Sequence, residues 1–76
     1  MAAHLDAALR DGDPQLILAA LGDLSRSKGM TQIARETGLG RESLDEALSP
    51  EGNAEFATIM KVIAALGLEL HATPSN

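Results

Sequence analysis

Cysteine is absent from the 76-residue sequence. Neither a disulfide framework nor a thiolate metal site is therefore available, and a reducing compartment is fully compatible with the chain. The two histidines, His4 and His71, stand at opposite ends of the sequence with no HxH or HxxxH spacing, so no local zinc signature exists. Tryptophan and tyrosine are missing and phenylalanine occurs once, at Phe56. Any core must be built from aliphatic side chains and that one ring. No apolar run approaches the ~20 residues of a bilayer span, and the first residues lack the basic stretch and apolar segment of a secretion signal. The expectation is a cytoplasmic protein with no membrane segment.

Catalytic signatures are missing as well. Carboxylates are plentiful, but none is recognisably placed in apolar surroundings opposite a second one, as acid and base chemistry requires. No local pattern joins serine, histidine and acid. The run Gly38, Leu39, Gly40, Arg41, Glu42, Ser43 superficially resembles a phosphate loop, yet it lacks the third glycine and a preceding strand. The reading is a non-enzyme with no cofactor and no metal.

A net charge of -5 argues against a nonspecific nucleic-acid coat, because neutralisation of phosphates by Lys and Arg dominates that kind of affinity. The distribution tells more than the total. Arg26, Lys28, Arg35 and Arg41 are four of the six basic residues, and Glu36 is the only acid among them. Asp6, Asp11, Asp13 and Asp23 make the N-terminal third acidic, a face suited to solvent or to a basic protein partner.

At this length a single core is marginal without help, which a second copy can supply. The order of signals predicts one domain. Residues 1–12 read as a helical arm with Leu5, Ala8 and Leu9 on one side. Asp13 followed by Pro14 is a helix start, since the aspartate accepts from free amides and proline at the first position loses no bond. That helix runs to about Ser27, with Leu16, Ile17, Ala20, Leu21 and Leu24 as its stripe, Leu18 at the edge, and Gly22 placed to permit a close helix crossing. After Leu48, Pro50 and Gly52 break the chain and Asn53 is a candidate cap for a last helix carrying Phe56, Ile59, Met60, Ile63 and Leu66 inward. Phe56 is expected to be a core plug. Leu68, Leu70 and Ala72 then alternate with polar residues at strand period, either as a tail packed on the core or as half of a ladder across a dimer. Residues 73–76 are expected to be disordered.

Between these segments, Met30 to Leu48 reads as two short helices around a tight corner. Ile33, Ala34 and Thr37 form the inner face of the first, Gly38 supplies the reversal, and Leu39 plugs the corner. Leu44, Ala47 and Leu48 form the inner face of the second, leaving Arg41, Glu42, Asp45 and Glu46 outside. Ala34, Gly38 and Leu44 at these positions make a helix-turn-helix pattern, whose second helix lies in a DNA major groove. The fold class that follows is all-α, four to five short helices in one compact domain over 13–72 (motif 30–48) with a short extended C-terminal tail.

The blocks DPxLI, GMTQIARETGL, RESL, ALSPEGN and FATIMKVIAALGLELHA together resemble the addiction-module antidote family, small antitoxins with a helix-turn-helix of the Cro and phage-repressor type. The resemblance covers about residues 13–74. It implies a lambda-repressor-like DNA-binding domain, and a transcriptional regulator that binds double-stranded operator DNA as a homodimer and neutralises a cognate toxin protein, typically of the RelE-like superfamily.

If the second motif helix enters the groove, Arg41 is the best base reader because its guanidinium can bond guanine bidentately. Glu42 and Glu46 are positioned to accept from cytosine, and Ser43 is small enough to approach a base or a phosphate. Lys28, Thr31, Gln32 and Arg35 are candidate phosphate contacts, with Asn53 a fifth if it opens the last helix. The rival is a protein-interaction module that kept this fold, lost DNA recognition and meets a basic partner through Asp45 and Glu46.

Overall fold

The computed structural model describes residues 2–49, 51 and 54–74. Five helices follow one another: α1 (Ala2–Asp11), α2 (Pro14–Lys28), α3 (Met30–Thr37), α4 (Arg41–Ala47) and α5 (Phe56–Ala65). No strand occurs among the described residues. α2 is the central element, with α1, α3 and α5 packed on it, while α3 also touches α4 and α5.

Local chemistry sets the boundaries. Asp13 caps α2 by accepting from the Gln15 amide at 2.9 Å, and Pro14 opens the helix. Gly29 is the single residue between α2 and α3. It takes φ 119°, which a side chain would strain, so one residue suffices to redirect the chain. Gly38 ends α3 in the left-handed region at φ 76°. Thr37 then braces the corner. Its buried hydroxyl donates toward the carbonyls of Ile33 (2.9 Å) and Ala34 (3.1 Å) and accepts from the Leu39 amide at 3.4 Å.

The core draws on all five helices: Leu5 and Ala8 of α1, Ala20, Leu21 and Leu24 of α2, Met30, Ile33 and Ala34 of α3, Leu44 with Leu48 just past α4, and Val62 and Ile63 of α5. Each fully buried aliphatic side chain contributes roughly 1.5–3 kcal/mol relative to exposure. Ile17, Leu39, Ile59, Leu66 and Leu68 pack around this centre. Leu39 thus fills the corner as expected.

Five expectations need correction. Phe56 is no core plug: it is 73% exposed. It lies seven residues before Ile63, about 10 Å along the axis, where no other element covers it, and the α5 contribution to the core comes instead from Val62 and Ile63. Met60 is likewise 40% exposed. On α2, Leu16 is 47% exposed while Leu18 is buried, so the inward stripe is rotated toward Leu18 and Ser25. At Gly22 the nearest atoms that a methyl group would meet belong to the Arg26 guanidinium of the same helix, at 3.2 Å, and not to a crossing helix. The cap position of α5 belongs to Glu55, whose side chain makes no capping bond; Asn53 lies outside the described residues. Residues 68–74 run as an irregular tail with no strand. Its first residue, Leu68, packs on the core.

One polar atom sits badly in this core. The Ser25 hydroxyl is fully buried and has no hydrogen-bond partner among the described residues. A buried unsatisfied hydroxyl is destabilising, so Ser25→Ala is expected to raise stability by about 1 kcal/mol, a gain of about 4–8 °C in Tm for a domain of this size. A fall in Tm on calorimetry would show that the hydroxyl has a partner in solution.

Candidate nucleic-acid interface

α3 and α4 meet through a three-residue corner, Gly38 to Gly40, with Ile33, Ala34, Thr37 and Leu44 turned inward. That packing decides what faces out. Leu44 is fully buried near the middle of α4, so Arg41, Glu42, Ser43, Asp45 and Glu46 are all exposed. The four candidate base readers therefore stand on one short helix whose outer surface is free of apolar side chains.

The candidate phosphate contacts lie on the end of α2 and on α3. Thr31, Gln32 and Arg35 are exposed. Arg41 reaches back to this group, its Nη1 donating to the Thr31 hydroxyl at 3.4 Å. The contact joins the start of α4 to the start of α3, two positions ten residues apart. Neither Glu42 nor Asp45 bridges Arg41 among the described residues.

Lys28 and Gln32 converge on Glu36. The Glu36 carboxylate lies 3.6 Å from the Lys28 ammonium and 3.5 Å from the Gln32 amide nitrogen. Lys28 also donates to the carbonyl of Ala65 at the end of α5, where a cation meets the negative end of the helix dipole. Its charge is thus partly committed within the fold. Arg26 pairs with Asp23 at 3.2 Å. Of the four basic residues between positions 26 and 41, Arg35 and Arg41 carry no carboxylate partner among the described residues. These two leave the outer edge of α3 and the start of α4 locally positive, while Glu42, Asp45 and Glu46 make the remainder of α4 acidic.

Sequence reasoning gave no role to Glu36 or Lys61. Glu36 organises the Lys28 and Gln32 side chains, and Lys61 rims a hollow shared with Lys28. The distance of 37 residues between Lys28 and its carbonyl acceptor leaves no local signal for either role. Among the described residues no set of three or more histidine, aspartate or glutamate side chains is placed to hold a metal ion, and no helix is long and apolar enough to cross a membrane.

Fold and surface together define a small all-helical domain, with two short helices around a glycine corner presenting a polar helix to the outside. Comparison with known proteins gives the particular family. The profile described as "Probable addiction module antidote protein" matches residues 1–74, and the chain belongs to that family. An uncharacterized protein of Haemophilus influenzae is 47% identical over 73 residues, covering 96% of this chain and 75% of the relative. No solved structure matches.

Proposed function

We propose that this chain is the antidote of an addiction module, acting in the cytoplasm as a homodimeric helix-turn-helix repressor of its own operator and as the neutraliser of a cognate RelE-like toxin. The observation that carries the DNA half is the anchoring of α4: Leu44 is fully buried while Arg41, Glu42, Ser43 and Glu46 are exposed on the same helix. A helix fixed from behind by an apolar side chain can enter a groove without reorganising. Arg41 then reads a base edge, and Thr31, Gln32 and Arg35 reach the flanking phosphates. Lys28 adds its charge to the local field from its position beside Glu36. The two-fold dimer places two such helices about one turn of DNA apart.

Toxin neutralisation uses a separate surface. α1 carries Asp6 and Asp11, and a cleft of about 180 Å³ between it and the C-terminal tail is walled by Leu5, Leu9, Leu68 and Leu70 with Asp6 and Glu69 at its edge. An apolar floor with an acidic rim suits a basic amphipathic segment.

The acidity of α4 favours a second reading, in which Asp45 and Glu46 meet a basic protein and the DNA function has been lost. The double variant Asp45→Asn, Glu46→Gln separates the two. Removing negative charge beside the phosphates is expected to tighten binding to upstream DNA roughly three- to tenfold at low salt, an effect that shrinks as salt rises. Unchanged DNA affinity together with weaker capture of the toxin would favour the protein-interaction module.

A further inference from the structure

Lys28 is the last residue of α2, and a single glycine separates it from α3. Its side chain reaches two distant groups at once. The ammonium lies 3.6 Å from the carboxylate of Glu36, the next-to-last residue of α3, and donates to the carbonyl of Ala65, the last residue of α5. Gln32, one turn before Glu36, donates to the other oxygen of that carboxylate at 3.5 Å. With side chains 35% and 41% exposed, Lys28 and Glu36 form the least exposed ion pair among the described residues.

The end of α5 needs such a donor. There the chain turns through Gly67 in the left-handed region at φ 74°. The amides of Leu66, Gly67 and Leu68 return to the carbonyls of Val62, Ala64 and Ile63 at 3.0–3.1 Å. They pass over Ala65, whose carbonyl is one of the end groups that a helix leaves without a backbone partner. The Lys28 ammonium takes that place and sets a cation at the negative end of the helix.

The consequence reaches α4. That helix packs chiefly on α3, so its direction follows the seat of α3 on α2 and α5. Met30, Ile33 and Ala34 fix the seat from the apolar side. Lys28 fixes it from the polar side, because one ammonium joins the end of α2 to the far half of α3 and to the end of α5.

We infer that Lys28 is a positioning residue for the two-helix unit and not a phosphate contact: its ammonium straps α3 to the end of α5 through Glu36 and the Ala65 carbonyl, and so sets the angle at which α4 is presented. This assignment rests on the operator reading and gives the strap a share in base specificity. Electrostatics supplies a test of opposite sign. Glu36→Gln removes a negative charge next to Arg35, which on charge alone tightens binding to DNA. Under the strap it loosens the grip on the cognate site.

The full chain, Lys28→Met and Glu36→Gln are compared well below their melting midpoints, by anisotropy against upstream and scrambled duplexes over a range of salt. Amide NMR spectra of the free proteins accompany the titrations. Lys28→Met is expected to leave the salt slope unchanged, to lower the preference for the upstream duplex about fivefold or more, and to shift amides of α4, which lies outside the strap's own contacts. Glu36→Gln is expected to lower the same preference despite its lost negative charge. If Lys28→Met does not fold, Glu36→Gln decides by the same readouts, since it keeps the Ala65 bond. A salt slope that falls by about 0.9 with the preference intact puts Lys28 on a phosphate and overturns the strap. A lower melting temperature with preference and α4 amides unchanged overturns it as well. If the unaltered chain binds neither duplex, the operator reading fails and the α4 amides decide alone: shifted in Lys28→Met they uphold the strap, unshifted they overturn it.

Discussion

Replacing Leu44 by alanine is expected to destabilise the domain by about 2–5 kcal/mol and to remove operator binding with it. Leu44 is fully exposed to the core and not at all to solvent. It is also the buried anchor from which the outward residues of α4 take their direction. A 76-residue domain has a total stability of roughly 4–11 kcal/mol, so this single truncation removes a large fraction of it. The corresponding drop in Tm is about 10–30 °C. Leu16→Ala is the control: the same chemistry at a side chain 47% exposed is expected to stay within about 1 kcal/mol. Equal losses at the two positions would mean that α4 is not held by this core.

Arg41→Ala is the second large effect. Under the operator reading it removes one bidentate base contact and costs about 1–3 kcal/mol, or roughly 5- to 150-fold in affinity, at the cognate site. Specificity at one base position should relax, while nonspecific DNA is bound almost as before. Arg35→Ala is expected to differ in kind, weakening all sequences alike and lowering the salt slope by about one. The partner of Arg41 in the free protein, Thr31, gives a further distinction. Thr31→Val frees the guanidinium but also removes the Thr31 phosphate contact, so affinity should fall modestly and alike for all sequences while specificity at the base read by Arg41 is kept. Anisotropy titrations at matched salt check each case. Loss of affinity that is equal for cognate and scrambled DNA would assign Arg41 to the phosphates.

The parts of this fold that the sequence made legible are those with covalent punctuation. Asp13 with Pro14 sets the start of α2, and Gly38 stops α3 because its backbone must take a left-handed turn. The inward and outward faces of α3 and α4 were equally clear, since polar and apolar residues alternate there at helical spacing. α5 lacked that contrast. All of its residues except Thr58 and Lys61 are apolar, so periodicity does not say which side faces in, and Phe56 looked like core when Val62 was. The C-terminal alternation at Leu68, Leu70 and Ala72 has strand period but no neighbouring strand to pair with. At the candidate interface the residue types were readable and their internal engagements were not. Lys28 looked free because Ala65, its carbonyl acceptor, lies 37 residues away, and nothing local indicates that Arg41 returns to Thr31.

The exposed pairs here have modest energetic weight. Arg10 with Asp6 and Arg26 with Asp23 are largely solvent-accessible, and such pairs contribute about 0–1 kcal/mol each. Their value lies in the field they leave behind. With Asp23 and Glu36 occupied by cations, the edge formed by Arg35 and Arg41 keeps its positive sign.

The central claim is that α4 reads DNA, and a salt-dependent anisotropy titration of the unaltered chain against the DNA upstream of its own gene tests it most directly. Saturable binding that exceeds a scrambled duplex by ~10³ or more, and weakens linearly in log affinity against log salt, is the predicted result. No binding at low salt, or equal binding to both duplexes, would contradict it.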